Sequence, residues 1–505
     1  MIVNLSLISH TNVGKTSLAR TLLRRDIGEV RDEAHVTEEA EAHMLLTTRE
    51  GDELALWDTP GFGDSARLLR RLRQSANPIG WVLSQVWDRF ADRPFWSSQQ
   101  AVRHVRDDSD LVLYVANISE DPQAAGYVDA ELQILEWIGK PAIVLLNQLG
   151  LPRPQEAERA ETAVWRNVLS GRPMVRGVLA FDAFARCWVQ EDVLLAAIEP
   201  LLPPEKHAAF TRLRAAWSTR NLDVFARSMV LLARQLAAAA TDRETLTGRH
   251  LAERARAWLS RAVTGVEAPA EPGLEQAMRA LARRLDVVVR ETTDELIALH
   301  GLAGRAKGEI LAHPDGEYRV ARPADTGRAT MIGGLASGAL SGLAADLAAG
   351  GLTFGAGALI GGVLGALGAG GLTHAYNLAR GVGQTEVSWS AEFLCGRVAA
   401  ALLRYLAVAH FGRGRGGFVA AGVPGHWLEA VEGCVTAERA ALERIFRAAG
   451  TTAPQPAPDV AAVLQPIMHR LGVALLGRLY PGAVAPVDRD PQRGGNCPSN
   501  EPSSP

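Results

Sequence analysis

Cysteine is scarce in this chain: Cys187, Cys395, Cys434 and Cys497 are the only four among 505 residues. With no Cys-x-x-Cys pair and no histidine at ligand spacing, neither a disulfide framework nor a zinc site is supported. A surplus of charge is also missing. Fifty-three basic residues face 56 acidic ones, a formal net charge of −3, so no global field draws the chain to nucleic acid. The C-terminal half carries no dense Lys/Arg run and no aromatic-basic pattern. No repeat of about 20 to 50 residues is present. The N-terminus has no charged segment leading into an apolar core and a small-residue cleavage site, and its apolar run IVNLSLI is only strand-length. The expected compartment is therefore the cytoplasm or the cytoplasmic face of the inner (plasma) membrane.

At 505 residues the chain is too long for one ordinary core, and two or three domains are expected. Up to about Pro204, short apolar runs (IVNLSLI, ELALWD, LVLYVAN, AIVLLNQ, RGVLAF) alternate with helix-length stretches. That alternation is the pattern of a mostly parallel α/β sheet. The stretch LLPPEK breaks it, and an all-helical second domain is expected over 205–328. A Gly-, Ala- and Leu-rich segment occupies 329–379, helical periodicity returns over 380–485, and residues 486–505 read as a disordered tail. A tryptophan-bearing insertion at about 75–105 interrupts the first domain, with Trp81, Trp87 and Trp96. At helical spacing these rings read first as a buried stripe and second as a contact surface.

Behind the first apolar run stands SHTNVGKTS, Ser9 to Ser17. A phosphate loop asks for Gly, four residues, then Gly-Lys-Ser/Thr between a strand and a helix, and this stretch fits except that Ser9 replaces the first glycine. Backbone amides of Asn12, Val13, Gly14, Lys15 and Thr16 are suited to a β-phosphate, Lys15 to the β/γ oxygens, Thr16 to Mg²⁺ and Ser17 to the α-phosphate. LALWDTPG then supplies Asp58 for Mg²⁺ through a water and the Gly61 amide for a γ-phosphate. Between them, AHVTEEAE offers Thr37 as the third Mg²⁺-binding residue. Thr47 and Thr48 are weaker candidates, because HMLLTTREGDEL reads as a strand and turn.

HTNVGKTS with WDTPG resembles the Era and TrmE-like branch of small P-loop GTPases. The insertion and the C-terminal half resemble a bacterial GTPase family with an uncharacterised C-terminal helical domain. The resemblance implies an α/β P-loop GTPase domain followed by a mainly α-helical domain, with GTP and Mg²⁺ as cofactors. Lys15, Thr37 and Gly61 would act on the phosphates, and Thr16, Thr37 and Asp58 would hold the metal. The branch reads guanine with Asn-Lys-x-Asp, and here AIVLLNQLG aligns Asn147 and Gln148 but puts Gly150 in place of the carboxylate. Selectivity for GTP over ATP is therefore expected to be weak, unless Asp182 in VLAFDAFARCW supplies the acceptor; its alternative role is a helix N-cap. Phe62 follows Gly61 where Ras-like enzymes carry a water-orienting glutamine, which implies slow turnover without a partner. RLLRRLR, Arg67 to Arg73, reads as a solvated helix face first and as a source of an arginine finger second.

Glycine recurs every fourth residue at Gly334, Gly338, Gly342 and again at Gly357, Gly361, Gly365, with Asp346 between the runs and Arg319, Arg322, Arg328 and Arg380 flanking them. Each glycine inside a helix costs about 1 kcal/mol in water, so the pattern suits closely packed helices, as in membrane pairs. The expectation is a Gly-rich hydrophobic helical hairpin over 329–379 that contacts membrane lipid, with both ends on the cytoplasmic side; the alternative is a buried soluble pair. The predicted function is a GTP-hydrolysing switch at the membrane. Its rivals are a tRNA- or ribosome-directed GTPase, although nucleic acid is not the expected partner, and a nucleotide-binding scaffold. A protein partner or self-association stays open.

Overall fold

The computed structural model describes residues 1–10, 13–24, 40–62, 64–84, 93–148, 154–183, 187–246, 272–302, 376–380, 385–411, 424–450, 459–481 and 483. Thr37, Asn12, Gly150 and Trp87 lie outside them, as do the tail and all of the Gly-rich segment except its last residues.

The first body is a six-stranded sheet in the order β2-β3-β1-β4-β5-β6. The strands are β1 (Ile2–Ser9), β2 (Glu41–Thr47), β3 (Glu53–Asp58), β4 (Leu111–Asn117), β5 (Ala142–Asn147) and β6 (Val175–Ala180). Only the edge pair β2–β3 is antiparallel; the other four pairings are parallel. A parallel sheet is covered on both faces, which is why its strands read as unbroken apolar runs. Along β4, Val112, Tyr114 and Ala116 enter one core and Leu111, Leu113 and Val115 the other. The first face is covered by α2 (Ser65–Leu72), α3 (Pro78–Ser84), α4 (Arg93–Asp107), α5 (Gly126–Ile138) and α6 (Gln155–Leu169). The second is covered by α1 (Lys15–Leu23), α7 (Trp188–Ile198) and the start of α8 (Pro204–Thr241).

Helix α8 spans 38 residues, and its length decides the join between the bodies. Phe210, Leu213 and Trp217 pack into the sheet core, whereas Phe225, Met229, Leu232 and Leu236 pack into the helical core. A boundary at Pro204 thus runs through a continuous element: the first turns beyond it belong to the sheet.

The second body contains α9 (Pro272–Leu299), α10 (Ala391–Ala409), α11 (Gly425–Ala449) and α12 (Val460–Leu479). It is not all helix. Strands β7 (Arg243–Leu246), β8 (Tyr376–Arg380) and β9 (Thr385–Trp389) form an antiparallel sheet in the order β7-β9-β8. Residues 376–379, expected to be helical, lie in β8, and the rest of 329–379 lies outside the described residues. Strands of four or five residues are too short to leave a periodicity to read, and the partner of β7 lies far away in the chain. Helix α12 is the single described helix long and apolar enough to cross a membrane, yet Leu464, Met468, Leu471 and Leu475 lie within the helical core. At Gly472 a Cβ would come within 2.8 Å of Phe225 and Met229, so glycine sets the close approach of α12 to α8. The described cysteines Cys187, Cys395 and Cys434 are free and buried.

Candidate functional site

The site lies at the carboxyl ends of β1, β3 and β5, where an open α/β sheet presents its loops. Gly14 takes φ +94°, a left-handed value that disfavours other residues, and a Cβ there would meet the Asn147 amide nitrogen at 2.6 Å. Glycine is therefore required twice at this position. Gly14 also caps α1 without a side-chain hydrogen bond, and the amino end of a helix is a place that suits an anion.

Ser9, the departure from the phosphate-loop pattern, is fully buried and accepts a 3.2 Å hydrogen bond from the Lys15 ammonium while donating to the His10 carbonyl at 2.5 Å. A glycine could not hold Lys15 this way. The Thr16 hydroxyl donates to Asp58 Oδ2 at 2.7 Å, which joins the two residues expected to share a metal across β1 and β3. Asp58 is 3% exposed and its Oδ1 has no hydrogen-bond partner. Burial pushes its carboxyl up while Lys15 and the Thr16 hydroxyl pull it down; burial likewise lowers Lys15, opposed by Asp58 and Glu131. An orphaned carboxylate oxygen beside a hydroxyl is a donor set that suits Mg²⁺, which takes few protein ligands and fills its octahedron with water and phosphate oxygen. No group of three or more His, Cys, Asp or Glu ligands exists among the described residues, as such a site requires none.

On the base side Asn147 is fully buried and bridges two loops. Its Nδ2 donates to the Val13 carbonyl at 2.7 Å, and its Oδ1 accepts the Ala183 amide at 2.8 Å. Ala183 is held from its other side as well, its carbonyl accepting from the Thr21 hydroxyl at 2.8 Å. Gln148 adopts φ +63° where the chain turns out of β5. Asp182 is 3% exposed, next to the clamped residue. Ser17 is buried at the first turn of α1, and Gly61 is buried behind β3.

Phe62 is fully buried and pairs with His10 as an isolated parallel bridge, so its ring is core and unavailable to water. Thr47 ends β2 as an exposed residue, and Thr48 closes the turn by accepting the Asp52 amide at 3.1 Å, as the reading of a strand and turn expects. The arginines of RLLRRLR lie on α2; Arg67 and Arg71 both stack over the Phe95 ring at 4.6 Å, and Arg73 donates to Gln133 at 2.6 Å. In the insertion, Val82, Phe95, Ala101, Val102 and Val105 are deeply buried, and Trp81 is partly buried against the same core.

The residues that sequence reasoning missed are His10, Tyr114, Tyr127 and Glu131. His10 stood inside the quoted loop, but its partner Glu131 is an ordinary glutamate of an amphipathic helix until the fold brings it beneath the loop.

A strand, a glycine-led loop with lysine at a helix start, and a metal-suited carboxylate on the next parallel strand define the class of P-loop nucleoside triphosphatases. Residues 4–148 match the family described as 50S ribosome-binding GTPase, and residues 325–458 match a domain of unknown function, DUF3482. The chain thus carries a P-loop GTPase domain, a GTP-hydrolysing module, joined to an uncharacterised C-terminal domain. No curated protein matches. Solved structures that resemble it include Era in complex with MgGDPNP and 16S ribosomal RNA nucleotides, at 16% identity, over 44% of this chain and 67% of that one, TM-score 0.30. An Era variant of Aquifex aeolicus bound to GDP·AlF4⁻ is 13% identical over 60% and 99% of the two chains, TM-score 0.30. The bacterial selenocysteine-specific elongation factor EF-Sec is 16% identical over 39% and 28%, TM-score 0.25. The family match, not these loose superpositions, carries the assignment.

Proposed function

We propose that the protein is a Mg²⁺-dependent GTP switch whose state is transmitted to the helical body and, through residues 329–379, to a membrane surface. The observation that carries the nucleotide part is the Thr16–Asp58 pair at 2.7 Å with Asp58 Oδ1 unpartnered, set beside Lys15 at a helix start without a side-chain cap. On this reading the α1 amides and Lys15 bind the β- and γ-phosphates, Thr16 and Asp58 hold the metal, and the Gly61 amide meets the γ-phosphate. Thr37, in the stretch that follows α1, completes the metal's ligands. Mg²⁺ held by these residues would supply charge neutralisation at the phosphates. Asn147 contributes by keeping the phosphate loop and the Ala183 loop in register rather than by chemistry. Because Phe62 is core, no side chain directly after Gly61 orients the attacking water, and intrinsic turnover is slow.

The membrane part rests on the glycine spacing, the lone Asp346 and the flanking arginines. Phosphate release from the purified full chain, with and without Mg²⁺ and with and without anionic liposomes, tests the whole reading. Mg²⁺-dependent release that rises with liposomes is expected. Release stimulated by ribosomal subunits and indifferent to lipid would favour the ribosome-directed reading that the matched family's description raises. Nucleotide binding with no release under any condition would leave the scaffold.

A further inference from the structure

The second residue of the phosphate loop is tied down from three sides. His10 bridges in parallel to Phe62, immediately after the turn that carries Gly61. Its Nδ1 lies 2.8 Å from Glu131 Oε1, and its ring stacks on Tyr127 at 4.3 Å and 25°. Glu131, on α5, is fully buried, and its other oxygen accepts the Tyr114 hydroxyl at 2.8 Å. Helix α5 in turn packs on α2, the helix that follows the Gly61 turn, where Arg73 meets Gln133. His10 therefore joins the phosphate loop, the second-switch turn and α5.

A carboxylate taken out of water costs several kcal/mol unless paired and hydrogen-bonded, and apolar residues would fill the same space more cheaply. Two directed hydrogen bonds are what the carboxylate adds over an apolar side chain, and direction matters where a loop must meet a reacting phosphate. Lys15 feels Glu131 as well as Asp58, which places the carboxylate's field under the phosphate site.

We infer that Glu131 is a positioning residue for GTP hydrolysis: acting through His10, it fixes the phosphate loop against the Gly61 turn in the geometry the triphosphate state needs. The inference rests on the reading that this site binds and hydrolyses GTP. A diphosphate offers the Gly61 turn no γ-phosphoryl group, so the effect falls more heavily on turnover than on diphosphate affinity.

The test uses the full chain with Glu131→Ala, Glu131→Gln and His10→Ala, measuring kcat and KM by phosphate release, GDP affinity by calorimetry and folding by circular dichroism. A misplacement of about 1 Å can cost about 100-fold in rate. Glu131→Ala and His10→Ala are each expected to lower kcat by about 10- to 100-fold and GDP affinity by clearly less than that. Glu131→Gln, which keeps an acceptor oxygen, recovers most of that loss. Unchanged kcat in either folded alanine variant overturns the inference. So does GDP affinity that falls as far as kcat, since the pair would then be only a structural tie. His10→Ala decides the matter if Glu131→Ala fails to fold. A parent that binds no GDP overturns the nucleotide-site reading itself and is established before any variant is compared.

Discussion

The sheet body and the helical body solve burial differently. In the first, one face of the sheet is packed by α2 to α6 and the other by α1, α7 and the start of α8. In the second, a single continuous core takes α8 to α12, with polar side chains inside it. Arg404 is 1% exposed and donates to Gln235 at 2.6 Å and Thr293 at 3.2 Å, burial having lowered its pKa to about 9. His410 is 4% exposed, with Nδ1 donating to the Leu406 carbonyl and Nε2 accepting from Tyr480 at 2.5 Å. The sheet body sets Ser9, Asp58 and Asn147 at the candidate nucleotide end, whereas Arg404 and His410 pair with neighbours inside the helical core. The two are continuous through α8 and meet again where α1 ends. Arg24 there reaches the buried Asn221 and Glu191, and a cavity is lined by Arg24, Glu191, Asn221, His300, Leu302 and Phe411.

The comparison breaks most sharply at α8. Trp217 is 1% exposed, lies in the sheet core and donates to Glu191 at 2.6 Å. Trp217→Ala should cost about 3–5 kcal/mol, read by chemical denaturation. A chain ending at Pro203 should fold worse than one ending at Arg220; equal stability would mean that the sheet needs nothing from α8.

Lys15→Ala should weaken triphosphate binding at least about 100-fold, roughly 2.7 kcal/mol. Both bodies should still fold, with the melting of the sheet body changed little, although Ser9 and Asp58 lose their cationic neighbour; calorimetry with and without Mg²⁺ reads the first effect and scanning calorimetry the second.

Acid separates the bodies by about 2 kcal/mol. Burial lowers His410 to about 4, so protonation favours the unfolded chain: the stability is complete above the ordinary histidine value near 6.5 and is lost as pH falls toward 4. At pH 5 the helical body should be weakened by about that amount. His300, lowered to about 3, adds in the same direction. The Asp58 and Glu131 carboxyls of the sheet body shift the opposite way. Tryptophan fluorescence of α11 and α8 variants that report each body separately would reveal the order of loss.

The smallest effect expected is at Asn147. Asn147→Ala removes two hydrogen bonds, to Val13 and Ala183, and should lower nucleotide affinity by about 1–2 kcal/mol while leaving GTP and ATP affected alike. A loss confined to GTP would mean that Asn147 reads the base directly.

By itself, the sequence determined the parallel sheet, because strands buried on both faces must be apolar throughout, and it singled out Gly14, Lys15, Thr16 and Asp58 as candidates, because phosphate and metal chemistry would constrain residue type at short spacing. Helices α8 to α12 were legible for the same reason, as periodicity is local. Only the tertiary structure decided what depends on distant pairs. Ser9 is a departure from a pattern until Lys15 folds back on it; Asn147 looks like half of a base-reading motif until it is seen joining Val13 to Ala183. Glu131 is one more helix glutamate until it lies under His10, and Arg243 to Leu246 is no strand until residues 385–388 arrive beside it. Such contacts carry no signal along the chain, since the free energy that selects them is gained only when residues far apart in sequence exclude water together.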